Sequence, residues 1–398
     1  MRKIDLNNFQ VATSGTARDI NRRIVLNLIR KHQPVSRADL SRQSGLQRST
    51  VSAITEELIS DRWVNEGGVG HLPRGRKPKF LHLNEQRVGI IGVNIRPVTT
   101  AIALAGLDTN FLTRESMNTG TDSWTFTQEL IQRIGSLMTA HPEIEYEAIG
   151  VALPGRIDLV TQRLVFAPNL GWESFDLKTP LQKATGLPVE LENAANACAL
   201  AELWSGKHGE SVRNLIAVTI SEGIGVGMIL GGQLVTGSSG MAGEFGHVTV
   251  AEGGPLCSCG NLGCWEKCAS NTAAVNYYNE SRNGGPKLQN GLSFDNLLKL
   301  VDQGDRKAGE AIDRMSHYIG VGLAMLIRGL APDVVVVVGE VTRAWNRAGP
   351  IVNSVLRERL AKTGAHVRIV PTDPDTEPRL RGTIALALQK HFGAPIIA

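Results

Sequence analysis

Gly243-Glu244-Phe245-Gly246-His247, followed by Cys257-Ser258-Cys259-Gly260-Asn261-Leu262-Gly263-Cys264-Trp265-Glu266, is the stretch that decides how this chain is read. It supplies one imidazole and three thiols at a spacing that suits a tetrahedral metal. Zinc prefers such ligands, and the short Cys-x-Cys-x4-Cys loop with two interposed glycines lets the backbone close around one ion while His247 fills the fourth position. The expected ligands are therefore His247, Cys257, Cys259 and Cys264. Four protein ligands leave no open position, so the expected zinc is structural: it shapes a loop and activates no water. Three of the chain's 5 cysteines fall inside this loop, which argues against chance clustering. Cys268 is a spare candidate ligand, and it and Cys198 are expected to be packed.

The 398 residues are enough for two or three cores, and no run of eighteen apolar residues interrupts an ordinary soluble composition. The N-terminus, Met1-Arg2-Lys3-Ile4-Asp5-Leu6-Asn7, lacks the apolar centre of a signal peptide, and free thiols suit a reducing compartment. The expected location is the cytoplasm, without membrane contact. Charge is unevenly spread. Residues 1–83 carry 15 Lys+Arg against 7 Asp+Glu, and the remainder 27 against 31. A basic module on a mildly acidic body suggests a nucleic-acid-binding head.

The order of elements in that head supports this reading. After a polar arm to about Gly15, Ile20, Ile24, Val25, Leu28 and Ile29 recur at helical spacing, with Thr16 available as a cap. Pro34-Val35-Ser36 stops the chain, Ser36 caps a short helix, and Gly45 permits the left-handed turn that ends it. A third helix follows in which Val51, Ile54 and Leu58 face inward while Gln47, Arg48, Ser49, Thr50 and Ser52 face outward, within reach of base edges or phosphates. Trp63-Val64 then begins a strand, Gly67 to Gly70 is expected to turn, and Arg74-Gly75-Arg76-Lys77-Pro78 returns as a wing. Helix, short helix, glycine turn and polar-fronted helix match a winged helix-turn-helix on double-stranded DNA, with Ser36, Arg37, Arg74, Arg76 and Lys77 as further contacts.

The Gly-Glu-x-Gly-His block and the cysteine loop resemble the ROK family of bacterial sugar kinases and sugar-responsive repressors. The resemblance extends to Pro154-Gly155, Ala167-Pro168-Asn169-Leu170-Gly171-Trp172, Glu192-Asn193 and Ser221-Glu222-Gly223-Ile224-Gly225-Val226-Gly227, in the family's order. It implies an α/β, actin-like (ribonuclease H-like) body of two lobes behind the winged head. The expected divisions are 1–83 for the head, 84–195 for the first lobe with helix 379–398 packing back on it, and 196–378 for the second lobe with the zinc site. By the same resemblance Asn169, Asn193, Glu244, His247 and Glu266 bind a sugar, with Arg156 near a substituent, and His247 serves both metal and sugar. Amide and carboxylate oxygens aimed at vicinal hydroxyls are the chemistry a polyol requires.

The phosphate-handling positions depart from the family's kinases. The expected Asp-x-Gly-Gly-Thr loop reads Asn94-Ile95-Arg96-Pro97-Val98-Thr99, which lacks a carboxylate for Mg²⁺ and a backbone N–H at Pro97. The Glu-Asn-Asp that supplies the general base reads Glu192-Asn193-Ala194, and losing a positioned base costs about 10² to 10⁴ in rate. Glu340 follows Val334 to Gly339 where the kinases have Gly-Gly beside the nucleotide, although Gly223 to Gly227 retains a glycine-rich turn. No catalytic residue is expected. The reading is a sugar- or sugar-phosphate-responsive repressor, a homodimer or tetramer on a DNA operator. The rival is an ATP-dependent sugar kinase with an accessory head, and Ala194 weighs against it.

Overall fold

The computed structural model describes residues 14–69, 79–85, 88–206, 208, 211–282, 292–361 and 367–393. In the head, α1 (Ser14–His32) buries Val25, Leu26 and Ile29. A short strand, β1 (Val35–Ser36), precedes α2 (Arg37–Ser44). Ser36 accepts the Asp39 N–H while the Asp39 carboxylate accepts the Ser36 N–H, so two otherwise unpaired donors are satisfied reciprocally. Gly45 closes the helix at φ 73°. The next helix, α3 (Arg48–Ser60), turns Val51, Ile54 and Leu58 inward.

β2 (Val64–Val69) and β3 (Lys79–Leu83) complete an antiparallel sheet in the order β1-β3-β2. The turn expected at Gly67 to Gly70 is not where the sequence suggested. β2 continues through Gly67 and Gly68 with a bulge, and Val69 still pairs with Lys79. Gly68 sits at φ 37°, so the glycine supplies an extra residue inside the strand rather than its end. The wing-tip cations Arg74, Arg76 and Lys77, most of the N-terminal arm, and the loop expected from Asn283 to Gly291 lie outside the described residues.

The first lobe comprises β4 (Val88–Ile95), β5 (Thr99–Ala105), β6 (Phe111–Asn118), α4 (Ser123–Ala140), β7 (Glu145–Leu153), the hairpin β8 (Arg156–Ile157) and β9 (Leu164–Phe166), α5 (Lys178–Thr185) and β10 (Val189–Asn193). Its sheet order is β10-β7-β4-β5-β6. From β10 the chain enters α6 (Ala194–Ser205) and then the second lobe: β11 (Leu215–Ile220), β12 (Ile224–Leu230), β13 (Gln233–Leu234), α7 (Trp265–Ala269), α8 (Asn271–Ser281), α9 (Phe294–Asp302), α10 (Arg306–Leu330), β14 (Val334–Gly339), α11 (Trp345–Leu360) and β15 (Arg368–Pro371). This sheet is ordered β13-β12-β11-β14-β15.

The two sheets repeat one plan. In each, the first strand pairs antiparallel with the second and parallel with the fourth, and the fourth pairs parallel with the fifth. That duplicated arrangement is the actin-like, ribonuclease H-like fold. The uninterrupted valines of β14 are buried throughout, as a parallel strand covered on both faces requires.

The last helix, α12 (Pro378–Phe392), lies on β4 and β7 of the first lobe and along α6. The head is not a bead on a string. Val25, Trp63, Leu81 and Leu83 share one core with Ile90, Ala148, Leu388 and Phe392 of the body. At this junction the Trp63 ring lies 4.3 Å from that of His391, whose Nε2 is 2.6 Å from Glu147.

Candidate metal centre, sugar cleft and DNA-reading face

Gly243 enters the metal-site turn at φ 100°, a conformation open to glycine, and a single 3₁₀ turn then presents Glu244 and His247. The cysteine loop folds back so that the candidate ligand atoms of His247, Cys257, Cys259 and Cys264 all lie within 4.8 Å of one another. His247 Nδ1 is 3.5 Å from Cys257 Sγ, and Cys259 Sγ is 3.6 Å from Cys264 Sγ. Zn–S bonds of about 2.3 Å imply ligand separations of roughly 3.8 Å around a tetrahedron, so this donor set fits a zinc-sized ion. Burial and the neighbouring thiols Cys259 and Cys257 push Cys264 up to about 12, an environment a dication reverses. The spare thiols stand apart. Cys268 is buried in α7, and complete burial pushes Cys198 up to about 12.

The same histidine faces two ways. Its Nε2 lies 3.7 Å from Glu244, and its Nδ1 lies 4.0 Å from Glu266 on the side of the cysteines. Glu244 is exposed and Glu266 largely buried, its Oε1 accepting from the Cys257 thiol at 3.3 Å. Across from them, Asn169 belongs to the 3₁₀ turn Pro168–Leu170 of the first lobe.

Gly223, which the sequence offered only as part of a glycine-rich turn, lies in this cleft. A Cβ there would sit 2.7 Å from Glu266 Oε2 and 3.9 Å from Asn169 Nδ2, so a side chain at this position would displace the Glu266 carboxylate. Its place beside Glu266 follows from the β11–β12 turn meeting α7. Asn193 is partly committed, its Oδ1 capping α6 through the Ala195 N–H and its Nδ2 donating to Gly155 O. One amide N–H and one oxygen lone pair remain for a ligand. Arg156 is half-buried at the start of β8.

The glycines expected to form a phosphate-type turn do something else. Gly225 and Gly227 lie inside β12, and a Cβ on Gly227 would come within 2.2 Å of the Ala195 carbonyl. They let α6 pack directly on the strand. The turn between β4 and β5 is likewise spanned by protein charge. Arg96 donates to Glu340 at 2.9 Å and lies 3.5 Å from Glu222, both of the second lobe, while Asn271 donates to the other Glu340 oxygen at 2.9 Å. A cavity of about 460 Å³ adjoins this bridge, lined by Asn94, Arg96, Arg114, Glu340, Arg343 and Arg379 among others. Asn94 is 7% exposed, and its Oδ1 has no partner.

On the head, Gln47, Arg48 and Ser49 are exposed at the start of α3, with Thr50 and Ser52 half-buried beside them. Two residues expected to touch DNA have partners within the head itself. Ser36 is 5% exposed and consumed by its capping box. Arg37 is folded onto its own domain, its Nε donating to Thr55 at 2.9 Å, one Nη to Glu56 at 2.8 Å and the other to Glu66.

A winged helix-turn-helix joined to a duplicated α/β body, with a Cys/His cluster beside a polar interlobe cleft, defines a class of two-lobed proteins equipped to read DNA. The chain belongs to the ROK family, whose family model matches residues 90–390. A winged helix-turn-helix DNA-binding model matches residues 18–65. The xylose repressor of Bacillus subtilis is 33% identical over 329 residues, covering 82% of this chain and 83% of the repressor. A crystal structure of a ROK family transcriptional regulator, a homologue of the E. coli MLC protein, superposes with TM-score 0.81 at 26% identity over 94% of this chain and 98% of that one. A ROK family glucokinase from Streptomyces griseus, in complex with glucose and AMPPNP, gives TM-score 0.67 at 28% identity over 76% of this chain and 99% of that one.

Proposed function

We propose that this chain is a sugar-responsive transcriptional repressor. The observation that carries the reading is the joining, in one folded chain, of an exposed Arg48 face on α3 to a cleft where Glu266 and Asn169 flank Gly223 and where Glu244 and Glu266 flank His247. The extent of the likeness to the xylose repressor, 82% of this chain with the head included in the regulator superposition, supports regulation over catalysis. D-xylose is accordingly the first effector to test. Because Ala194 removes a negative charge beside the reactive hydroxyl, a sugar phosphate is a second class of effector.

The cleft binds without phosphorylating. Asn94, Ala194 and the Arg96–Glu340 bridge replace the metal ligand, the base and the room a nucleotide needs. Zinc on His247, Cys257, Cys259 and Cys264 is structural, and it orients His247 so that its second nitrogen faces the sugar. Arg48 with Gln47, Ser49, Thr50 and Ser52 meets the major groove, and Arg74, Arg76 and Lys77 meet the narrower groove. A cytoplasmic homodimer or tetramer on a pseudo-palindromic operator matches two-fold protein to two-fold DNA. Among the described residues, no helix is long and apolar enough to cross a membrane.

The experiment is an operator titration with and without sugar, on wild type and Glu244→Ala, preceded by a thermal-shift panel of sugars and sugar phosphates. Wild type should release DNA on adding the stabilising sugar, and Glu244→Ala should bind DNA yet ignore it. Equal responses in the two proteins would remove Glu244 from the site.

A further inference from the structure

Two helices run from the interlobe region to the head. α6 starts at Ala194, just after its cap Asn193 beside the cleft, and ends at Trp204 and Ser205, a span of about 18 Å at 1.5 Å per residue. α12 starts at Pro378, in the wall of the interlobe cavity, and ends at Phe392. They are wedged together without slack: a Cβ on Gly382 of α12 would lie 2.2 Å from the Ala197 carbonyl of α6. With Gly227 pressed equally hard on Ala195 from the other side, α6 cannot slide independently, and any shift of its first turn reaches its last.

Helix C-termini present carbonyls without intrahelical donors, and one face of α1 meets both of these ends. Arg30 donates to Trp204 O at 3.2 Å, and its guanidinium lies 4.1 Å from the centre of the Trp204 ring. Asn27 donates to Phe392 O and Arg23 to Gly393 O, each at 2.9 Å. The Trp204 and Phe392 rings meet edge to face at 4.8 Å, so the two helix ends are joined to each other beneath α1. The Arg30 charge completes the negative ends of two helix dipoles, and burial pushes its pKa down.

We propose that Arg30 is the positioning residue through which movement of the sugar cleft reaches the DNA-reading head, by holding α1 to the shared ends of α6 and α12. The inference rests on the repressor reading and identifies how that site is coupled to DNA. Packed elements with discrete arrangements transmit small displacements, and α6 and α12 connect the two places that must communicate.

The test uses full-length wild type, Arg30→Gln, Arg30→Lys and Asn27→Ala, with a duplex selected from random DNA by the wild-type protein. Affinity for the duplex is measured by anisotropy with and without D-xylose, D-glucose and their phosphates, and sugar binding is measured separately by thermal shift without DNA. In wild type an effective sugar should weaken DNA binding about 5- to 150-fold. Arg30→Gln should keep its DNA affinity and its sugar-induced shift while the coupling falls to within about twofold of none; Arg30→Lys should recover part of it, and Asn27→Ala should lose part.

Wild-type coupling in Arg30→Gln overturns the inference and leaves the repressor reading standing. If Arg30→Gln fails to fold, unchanged coupling in both Arg30→Lys and Asn27→Ala overturns it. A wild type whose DNA affinity is unmoved by all four compounds overturns the repressor reading, and the inference with it.

Discussion

Arg96 and Glu340 form an ion pair from one lobe to the other, Nη2 to Oε1 at 2.9 Å, with the Glu340 side chain 17% exposed. Burial alone would raise the Glu340 carboxyl, but the charges of Arg96 and Arg379, with hydrogen bonds from its own backbone and from Asn271, hold it below the usual carboxylate range. Removing Arg96 leaves the half-buried Glu340 charge to Arg379, Asn271 and its own backbone.

Arg96→Ala should therefore lower stability by about 1.5–3 kcal/mol, the usual range for hydrogen bonds to charged groups. Because Glu340 titrates lower folded than unfolded, its stabilisation is fully present above the ordinary glutamate range and is lost as pH falls through the depressed folded value. Urea melts of wild type and Glu340→Gln should differ by a constant amount from pH 7 to about pH 5 and converge at more acid pH. A difference that grows on acidification would contradict this account of Glu340.

Purified protein should carry about one zinc per chain, and Cys257→Ser/Cys259→Ser should abolish its retention. Thiols must lose protons to bind metal, so zinc retention should weaken as pH falls, and chelation should lower the melting temperature. Elemental analysis and melts with and without chelator check both.

On the proposed non-catalytic reading, Ala194→Asp should not restore sugar phosphorylation on its own, because Arg96 and Glu340 still bridge the lobes. A coupled ATP assay across hexoses and xylose should show no turnover near the usual kinase range of about 1–100 per second in either protein. Turnover in the Ala194→Asp protein would mean that the bridge opens readily.

The two arginines of the reading motif should behave in opposite ways. Arg48→Ala, exposed on α3, should cost about 1–3 kcal/mol of specific DNA affinity and leave stability alone. Arg37→Ala, paired with Glu56 and Glu66, should lower thermal stability of the head instead. Melting curves beside anisotropy titrations separate the effects.

Local chemistry was legible in the sequence wherever function depends on residues near one another in the chain. The His247 and cysteine spacing, the Ser36 cap, the Gly45 turn and the inward Val51, Ile54 and Leu58 are set by short-range geometry, and these helical features and ligand clusters appear where the pattern puts them. The ROK resemblance carried the duplicated sheets, because motifs in a fixed order stand in for topology that no local pattern encodes.

Side chains whose partners are remote in sequence were decided only by the tertiary structure. The partners of Arg37, Glu56 of α3 and Glu66 of β2, could not be read from the sequence. Gly225 and Gly227 looked like a phosphate turn, yet they are strand residues kept small by α6. Arg96 meets Glu340 across 244 positions, and Arg30 meets Trp204 across 174. Pairing over such separations depends on how helices and sheets stack, and stacking is settled by the burial of whole apolar faces rather than by any short run of residues.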